Sequence, residues 1–222
     1  MDVALLIEQV RTTPLLDWLA LGCSVVYVLL ASRDRNACWL FAAVGSLLWA
    51  HQMVAVYNLI SDALLQVFYF VMAGVGLYRW RRSTRSRPAV EALDSEVVGE
   101  LAGQKPPILR MTLGEHLTVA SSALLLGYGL ANFVLIYRAD AAMPYLDGIT
   151  TAFSVVATFL LIARRLENWL YFVVIDLAYV FIYWRTEAYL YLLVMLLYIV
   201  VAVYGYLHWR RLAIHSGHEA AA

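Results

Sequence analysis

Hydrophobic side chains occur along this chain in long blocks, parted by short polar joints. A helix crossing the hydrocarbon core of a bilayer needs about 20 predominantly apolar residues. Seven blocks come close to that length: 15–31, 37–57, 61–80, 112–137, 145–163, 166–184 and 187–208. They lack the alternation of apolar and polar residues, over roughly ten positions at a time, that marks an outer-membrane barrel. The expected fold is an all-α membrane protein with seven transmembrane helices. The one extended joint, 81–110, turns from basic (Arg81, Arg82, Arg85, Arg87) to acidic (Glu91, Asp94, Glu96, Glu100) and ends in Pro106-Pro107. It reads as a linker whose centre, 89–101, can form a short surface helix.

The blocks contain a repeat. At a spacing of 130 residues Asp17 falls on Asp147, Ser24-Val25-Val26 on Ser154-Val155-Val156, Arg35 on Arg165 and Trp39-Leu40 on Trp169-Leu170. At 129, Tyr69 falls on Tyr198, Ala73 on Ala202, Gly76 on Gly205, and Trp80-Arg81-Arg82 on Trp209-Arg210-Arg211. Each copy holds three blocks, so its chain leaves on the face opposite to the one it entered. A second copy can enter in the same orientation only after one more crossing, which block 112–137 supplies. The predicted organisation is an N-terminal segment 1–14, a first triple-helix repeat 15–82, a cytoplasmic linker 83–110, a linking transmembrane helix 111–138, a second triple-helix repeat 139–211 and a C-terminal tail 212–222, frayed from Ile214. Two repeats related by an axis along the membrane normal are a recurring plan in transporters, with substrate held at the repeat interface.

Composition agrees, since 63% of the residues are hydrophobic, against roughly 45–50% in soluble domains. The net charge is zero but unevenly spread. With residue 1 outside, 13 of the 16 Lys and Arg residues fall on cytoplasmic joints, leaving Arg11, Arg138 and Arg185 on the outer side. Cytoplasmic loops are enriched in Lys and Arg, so the N-terminus is expected outside and the C-terminus inside. The basic run 79–87 then anchors topology, and nucleic acid is not an expected partner. Asp2 and Glu8 oppose the basic start of a cleavable signal peptide. Segment 1–13 is expected to lie on the membrane surface through Leu5, Leu6 and Val10. Cys23 and Cys38 read as packing residues. His51, His116, His208, His215 and His218 form no metal-binding spacing, so neither metal nor cofactor is expected.

Polar groups inside a span are costly unless they face a cavity or a partner. Asp176 lies near the middle of the sixth block, where a carboxylate costs roughly 2.5–3.5 kcal/mol on insertion scales. It shares a helix face with Trp169, Phe172, Tyr179 and Tyr183. Asp62, Gln66, Tyr69, Ala73, Gly76 and Trp80 form a stripe on the third block, and Tyr191, Met195, Tyr198, Ala202, Gly205 and Trp209 repeat it on the seventh. Their small residues suit close helix packing. Trp80 and Trp209, beside Arg pairs, read as interfacial belt residues. Residues shared by both copies serve the common fold, whereas polar groups in one copy suit an asymmetric ligand. Gln66 aligns with Met195, Asp176 with Ser46, and Trp49 with Tyr179. In the assigned topology Trp49, Gln52, Gln66, Tyr69, Asp176, Tyr179 and Tyr198 all lie between mid-membrane and the outer third. Rings, amides and one anion suit a flat, cationic, hydroxyl-bearing molecule. Asp17 and Asp147, near the outer ends of equivalent helices, read as gate residues or as helix caps. His51 is expected to bond within the packing of the second block.

Over 16–211 the chain resembles the PnuC family of vitamin transporters. Asp62-Ala63-Leu64-Leu65-Gln66-Val67-Phe68-Tyr69, followed by Gly76 and Trp80, is similar to the family's first-half signature. Glu167-Asn168-Trp169-Leu170 and Ala202-Val203-Tyr204-Gly205-Tyr206 with Trp209 resemble the second-half one. The resemblance implies a bacterial inner-membrane carrier for nicotinamide riboside or a related B vitamin. It also implies a SWEET-like 3+1+3 arrangement of two parallel triple-helix repeats, a homotrimer, and facilitated diffusion with trapping by a cytoplasmic kinase. Nicotinamide riboside carries a pyridinium charge, a ribose and an amide, which suits the polar groups above. The family's nicotinamide riboside carriers have Trp-x-x-Trp on the sixth span and an Asn one turn on. Here those positions read Trp169-Leu170-Tyr171-Phe172, with Asp176 in place of the Asn. Thiamine, substrate of the related PnuT branch, is therefore the alternative. In the expected arrangement Trp169 with Phe172 or Trp49 sandwiches the aromatic ring and Asp176 balances its charge. Gln66, Gln52 and Tyr198 bond to hydroxyl or amide groups, and the two bundles rock about the pocket.

Two other classes fit less well. A seven-helix receptor or sensor is compatible with the span count, but a retinal protein needs a lysine inside a span and the sole lysine, Lys105, is in a joint. An intramembrane enzyme would have only His51 and Asp176 as a conceivable catalytic pair. The chain is read as a carrier and not as an enzyme.

Overall fold

The computed structural model describes residues 2–56, 60–83, 107–137 and 143–219, with side chains at 60–62, 64, 82–83 and 215–219 outside the description. The expected surface helix at 89–101, most of the linker, the Asp62 side chain and the end of the tail lie outside the described residues. Eight helices are present among those described: α1 (Val3–Thr12), α2 (Leu15–Ser32), α3 (Cys38–Ala55), α4 (Ile60–Ser83), α5 (Leu113–Tyr137), α6 (Pro144–Ile162), α7 (Asn168–Arg185) and α8 (Tyr189–Glu219). Helices α2 to α8 fall on the seven apolar blocks. By length and composition α2, α3, α5, α6 and α8 can each cross a membrane. Helices α4 and α7, at 24 and 18 residues, fall outside that group. The residues that mark a site in α7, Asp176 and its tyrosines, also lower its apolar character. Helix α8 runs on to Glu219, past the fraying expected from Ile214, even though the extension includes Gly217.

The chain divides into two compact units, one of residues 14–108 with 213–222 and one of residues 1–13 with 109–212. In the first, α2 packs on α3 and α3 on α4. In the second, α5 packs on α6 and α6 on α7. The turns α2–α3 and α6–α7 are made alike. Asp34 and Arg164, 130 residues apart, have φ of 56° and 55°. The amides of Asp34 and Arg35 close on Ala31 and Leu30, and those of Arg164 and Arg165 on Leu161 and Leu160. A left-handed non-glycine residue costs roughly 1–2 kcal/mol, so its recurrence shows that the repeat extends to backbone geometry.

Each unit also contains the same tryptophan lock. Trp39 lies so close to Gly76 that a Cβ there would sit 2.6 Å from the indole, and Trp169 meets Gly205 at 2.8 Å. Trp80 and Trp209, one turn beyond those glycines, pack edge-on against Trp39 at 5.2 Å and against Trp169 at 5.6 Å. All four rings are buried. Trp80 and Trp209 are thus core residues, correcting the belt assignment: the glycine at i−4 opens a slot for a partner ring, which covers the tryptophan at i.

In the second unit the linking helix approaches α6 backbone to backbone. A Cβ on Gly127 would lie 2.7 Å from the Ile149 Cα, and one on Gly148 would lie 2.6 Å from the Gly127 carbonyl. Only small residues allow such an approach. The chain ahead of α5 is held to the α6–α7 turn, with the Leu109 amide donating to Arg164 and its carbonyl accepting from Leu166. Glu167 accepts from the Met111 amide, and the Arg165 guanidinium meets Glu115 at 2.7 Å. Helix α1 is capped by Asp2 and held through Gln9, whose amide donates to the Glu187 carbonyl at 2.7 Å and accepts from Leu190 at 3.1 Å. Leu5 and Leu6 lie half-buried on the Gln9 side, while Val3, Ile7 and Val10 are exposed.

Candidate functional site

The first unit contributes a closed polar pair. Gln52, 1% exposed, donates from Nε2 to Asp17 Oδ1 at 2.7 Å, and Asp17 is itself 2% exposed. Asp17, expected as a gate residue or a helix cap, and Gln52, expected at the substrate, are hydrogen-bonded to each other. His51 is exposed, and its Nδ1 approaches Gln52 Oε1 at 3.3 Å. Trp49, Gln66 and Tyr69 are half-buried on α3 and α4.

The second unit is built around α7. Asp176 is 7% exposed and, among the described residues, has no hydrogen-bond partner. Its repeat counterpart Ser46 is a buried neutral residue. Burying an ionic group without a partner is costly, so the fold keeps at α7 a group that packing alone does not require. One turn on, Tyr179 stacks on Tyr183 at 5.8 Å, and Tyr183 leans on Tyr191 of α8 at 5.7 Å. Thr150, Thr151 and Ser154 of α6 face the Tyr179 hydroxyl. Asp147 and Tyr198 lie within electrostatic reach of Tyr183. Toward the other end of α7, Tyr171 stacks on Phe153 and pairs its hydroxyl with His116 Nδ1 at 3.0 Å. Trp169 is fully buried in the tryptophan lock, with Phe172 tilted against it at 6.3 Å.

Of the expected binding residues, the second unit thus sets Tyr179 against Tyr183, with Asp176 one turn away from Tyr179. Sequence reasoning does not single out Tyr183 and Tyr191 as binding residues, although both lie on the polar stripes. Their signal is the i, i+4 step from Tyr179 to Tyr183.

Residues 14–211 match the profile of a family described as nicotinamide mononucleotide transporter. The chain belongs to this family, the PnuC transporters. A nicotinamide riboside transporter PnuC from Neisseria mucosa is 27% identical over 213 residues, covering 90% of this chain and 75% of that protein. A crystal structure of the vitamin B3 transporter PnuC superposes with a TM-score of 0.69 at 19% identity, covering 96% of this chain and 88% of that one. The fold is therefore that of PnuC. As a PnuC-family chain it is a multi-pass membrane transporter and not an enzyme. Among the described residues no three His, Cys, Asp or Glu side chains converge in a way that could hold a metal ion.

Proposed function

We propose that this chain carries nicotinamide riboside across the bacterial inner membrane by facilitated diffusion, through alternating access, with phosphorylation by a cytoplasmic kinase trapping the vitamin inside. The observation that carries this reading is the buried, unpartnered Asp176 at the middle of α7 in a chain of the PnuC family. A fixed pyridinium charge would supply the partner that the protein does not. Phe172 and Tyr179 flank Asp176 on the same helix face and would meet the ring, while amide and hydroxyl groups of Gln66, Tyr69 and Tyr198 would read the ribose and carboxamide. Trp49 remains a candidate for the second aromatic face. Trp169, locked under Gly205, would support Phe172 from behind.

The reading includes seven spans in a SWEET-like 3+1+3 plan, the N-terminus outside and the C-terminus in the cytoplasm, and assembly as a homotrimer. Thiamine, also cationic and aromatic, is the second reading. Asp176 in place of the family's Asn favours it, since a carboxylate serves any ring-bearing cation.

Initial uptake of radiolabelled nicotinamide riboside and of thiamine into proteoliposomes tests both. Wild-type protein is expected to equilibrate nicotinamide riboside, chemically unchanged, without an imposed ion gradient. Asp176→Leu, which removes the charge and both oxygens, should raise the half-saturating concentration about tenfold or more, the scale of one charge-assisted hydrogen bond. Uptake of thiamine alone would select the second reading, and uptake of neither would overturn both. Accumulation driven by a proton gradient would overturn uncoupled transport.

A further inference from the structure

We infer that Arg165, Glu167 and Tyr171 form a brace that holds the linking helix α5 to the second triplet through every stage of transport, so that the moving body is α5 to α8, four helices and not three. The inference rests on the reading of the chain as an alternating-access carrier.

The brace begins at the entry of α5. Thr112 and Glu115 close a capping box, the Thr112 amide donating to Glu115 Oε2 at 2.7 Å and the Glu115 amide to Thr112 Oγ1 at 3.3 Å. The other oxygen of the same carboxylate accepts from Arg165, in the α6–α7 turn, at 2.7 Å. Arg165 donates a second time, to the Arg110 carbonyl at 3.0 Å. Glu167 answers in the opposite sense: 7% exposed, it accepts from the Met111 amide at 3.0 Å. Between these contacts the backbones of Leu109 and Arg165 pair, the Leu109 amide donating to Arg164 at 3.0 Å and the Leu166 amide to Leu109 at 2.9 Å. One turn beyond Glu167, Tyr171 bonds to His116 of α5 at 3.0 Å and stacks on Phe153 of α6, so three helices meet at one ring. Parting α5 from the turn would break these bonds together and take a donor from a buried carboxylate. Farther along, Gly127 and Gly148 bring α5 and α6 backbone to backbone. A helix held at two separate levels cannot pivot about either.

The packing of a triplet does not require the brace. The first repeat has Ala37, Phe41 and Cys23 at the positions of Glu167, Tyr171 and Phe153, and its Arg35, equivalent to Arg165, is exposed. The same three-helix plan forms there without these groups. Their presence in the second copy serves the linking helix.

The test places cysteines at Leu109 and Arg165, whose paired backbones suit a disulfide, since bridged strands lie about 4.8 Å apart. Reduced, Leu109→Cys/Arg165→Cys lacks both guanidinium bonds. Oxidised, it has a covalent link in their place. Initial uptake of nicotinamide riboside into proteoliposomes should fall about three- to tenfold in maximal rate for the reduced form, with the half-saturating concentration kept. Oxidation should return the rate to within about twofold of wild type. Tyr171→Phe, which keeps the ring and leaves the turn untouched, should slow the maximal rate about two- to fivefold. Oxidation that blocks uptake, with dithiothreitol restoring it, would mean that the brace opens during transport and would overturn the inference. So would wild-type rates in both reduced variants, a disulfide that does not form, or a raised half-saturating concentration, which would put Arg165 in recognition of the vitamin. Wild-type protein that takes up neither nicotinamide riboside nor thiamine overturns the transport reading itself. Normal wild-type uptake beside an inactive oxidised variant removes the brace alone.

Discussion

The aspartates that open α2 and α6 occupy equivalent positions, yet one is closed by an amide and the other is exposed. Asp17 receives the Gln52 amide in a setting almost without solvent. Removing that donor takes one hydrogen bond from a buried carboxylate, at a cost of about 1–3 kcal/mol. Gln52→Ala should therefore lower the thermal midpoint of the detergent-solubilised protein by about 2–4 °C per kcal/mol lost. Asp17→Asn keeps an acceptor for Gln52 and should lose less. A Gln52→Ala protein that melts like wild type but binds nicotinamide riboside weakly would move the pair from scaffold to binding site. The sequence makes Gln52 conspicuous, because an amide inside an apolar block needs a partner. It does not name the partner, since the rotation of α2 and α3 about their axes decides which polar groups meet across 35 residues of chain. Tyr183 is inconspicuous for the opposite reason: a tyrosine near a span end is ordinary at a membrane interface, and only the ring from α8 distinguishes it.

At the scale of elements, the glycine and tryptophan of each repeat determine how closely the last helix of a triplet meets its neighbour. Gly76→Ala and Gly205→Ala would drive a methyl into an indole that lies within 2.6 to 2.9 Å of the added carbon. Each should destabilise the protein by about 1–3 kcal/mol, the usual cost of overpacking. Gly22→Ala, with nothing within 4 Å, serves as the control and should be neutral or stabilising. Equal melting of all three variants would show that the lock contributes no packing constraint. The helices, their joints and the small-residue stripes are readable because they are written in local periodicity. The tryptophans are harder to place. An indole beside an Arg pair has the same local signature whether it meets headgroups or fills a slot, and the difference lies in a glycine on the same helix and a ring on another. The repeat holds the better clue: Trp169 is shared with Trp39 and so belongs with the common fold, whereas Asp176, paired in sequence with Ser46, does not.

At the scale of the whole molecule, the repeat and the basic joints make linked claims about which turns share a side of the membrane. If α5 crosses the bilayer, the α2–α3 turn is cytoplasmic and the α7–α8 turn is outside. If α5 does not cross, both turns lie on the same side, and the two repeats enter with opposite orientations. The distinction bears on the proposed plan directly, because a duplicated triplet keeps one orientation only through an odd crossing between the copies. Its Ala123, Gly127 and Ala131, spaced by four and buried against α6, suit a spanning helix packed on a neighbour. Cysteines introduced at Ala37 and Thr186, both exposed in their turns, can report the sides through a membrane-impermeant maleimide. The native thiols compete little, Cys38 being buried and Cys23 half-buried within helices. In intact cells Thr186→Cys should label readily, and Ala37→Cys should label only after the membrane is opened. Labelling of both in intact cells, or of neither, would mean that α5 stays on one face and the parallel plan fails. The reversed pattern would keep the plan and invert the orientation that the 13 cytoplasmic-side cations predict.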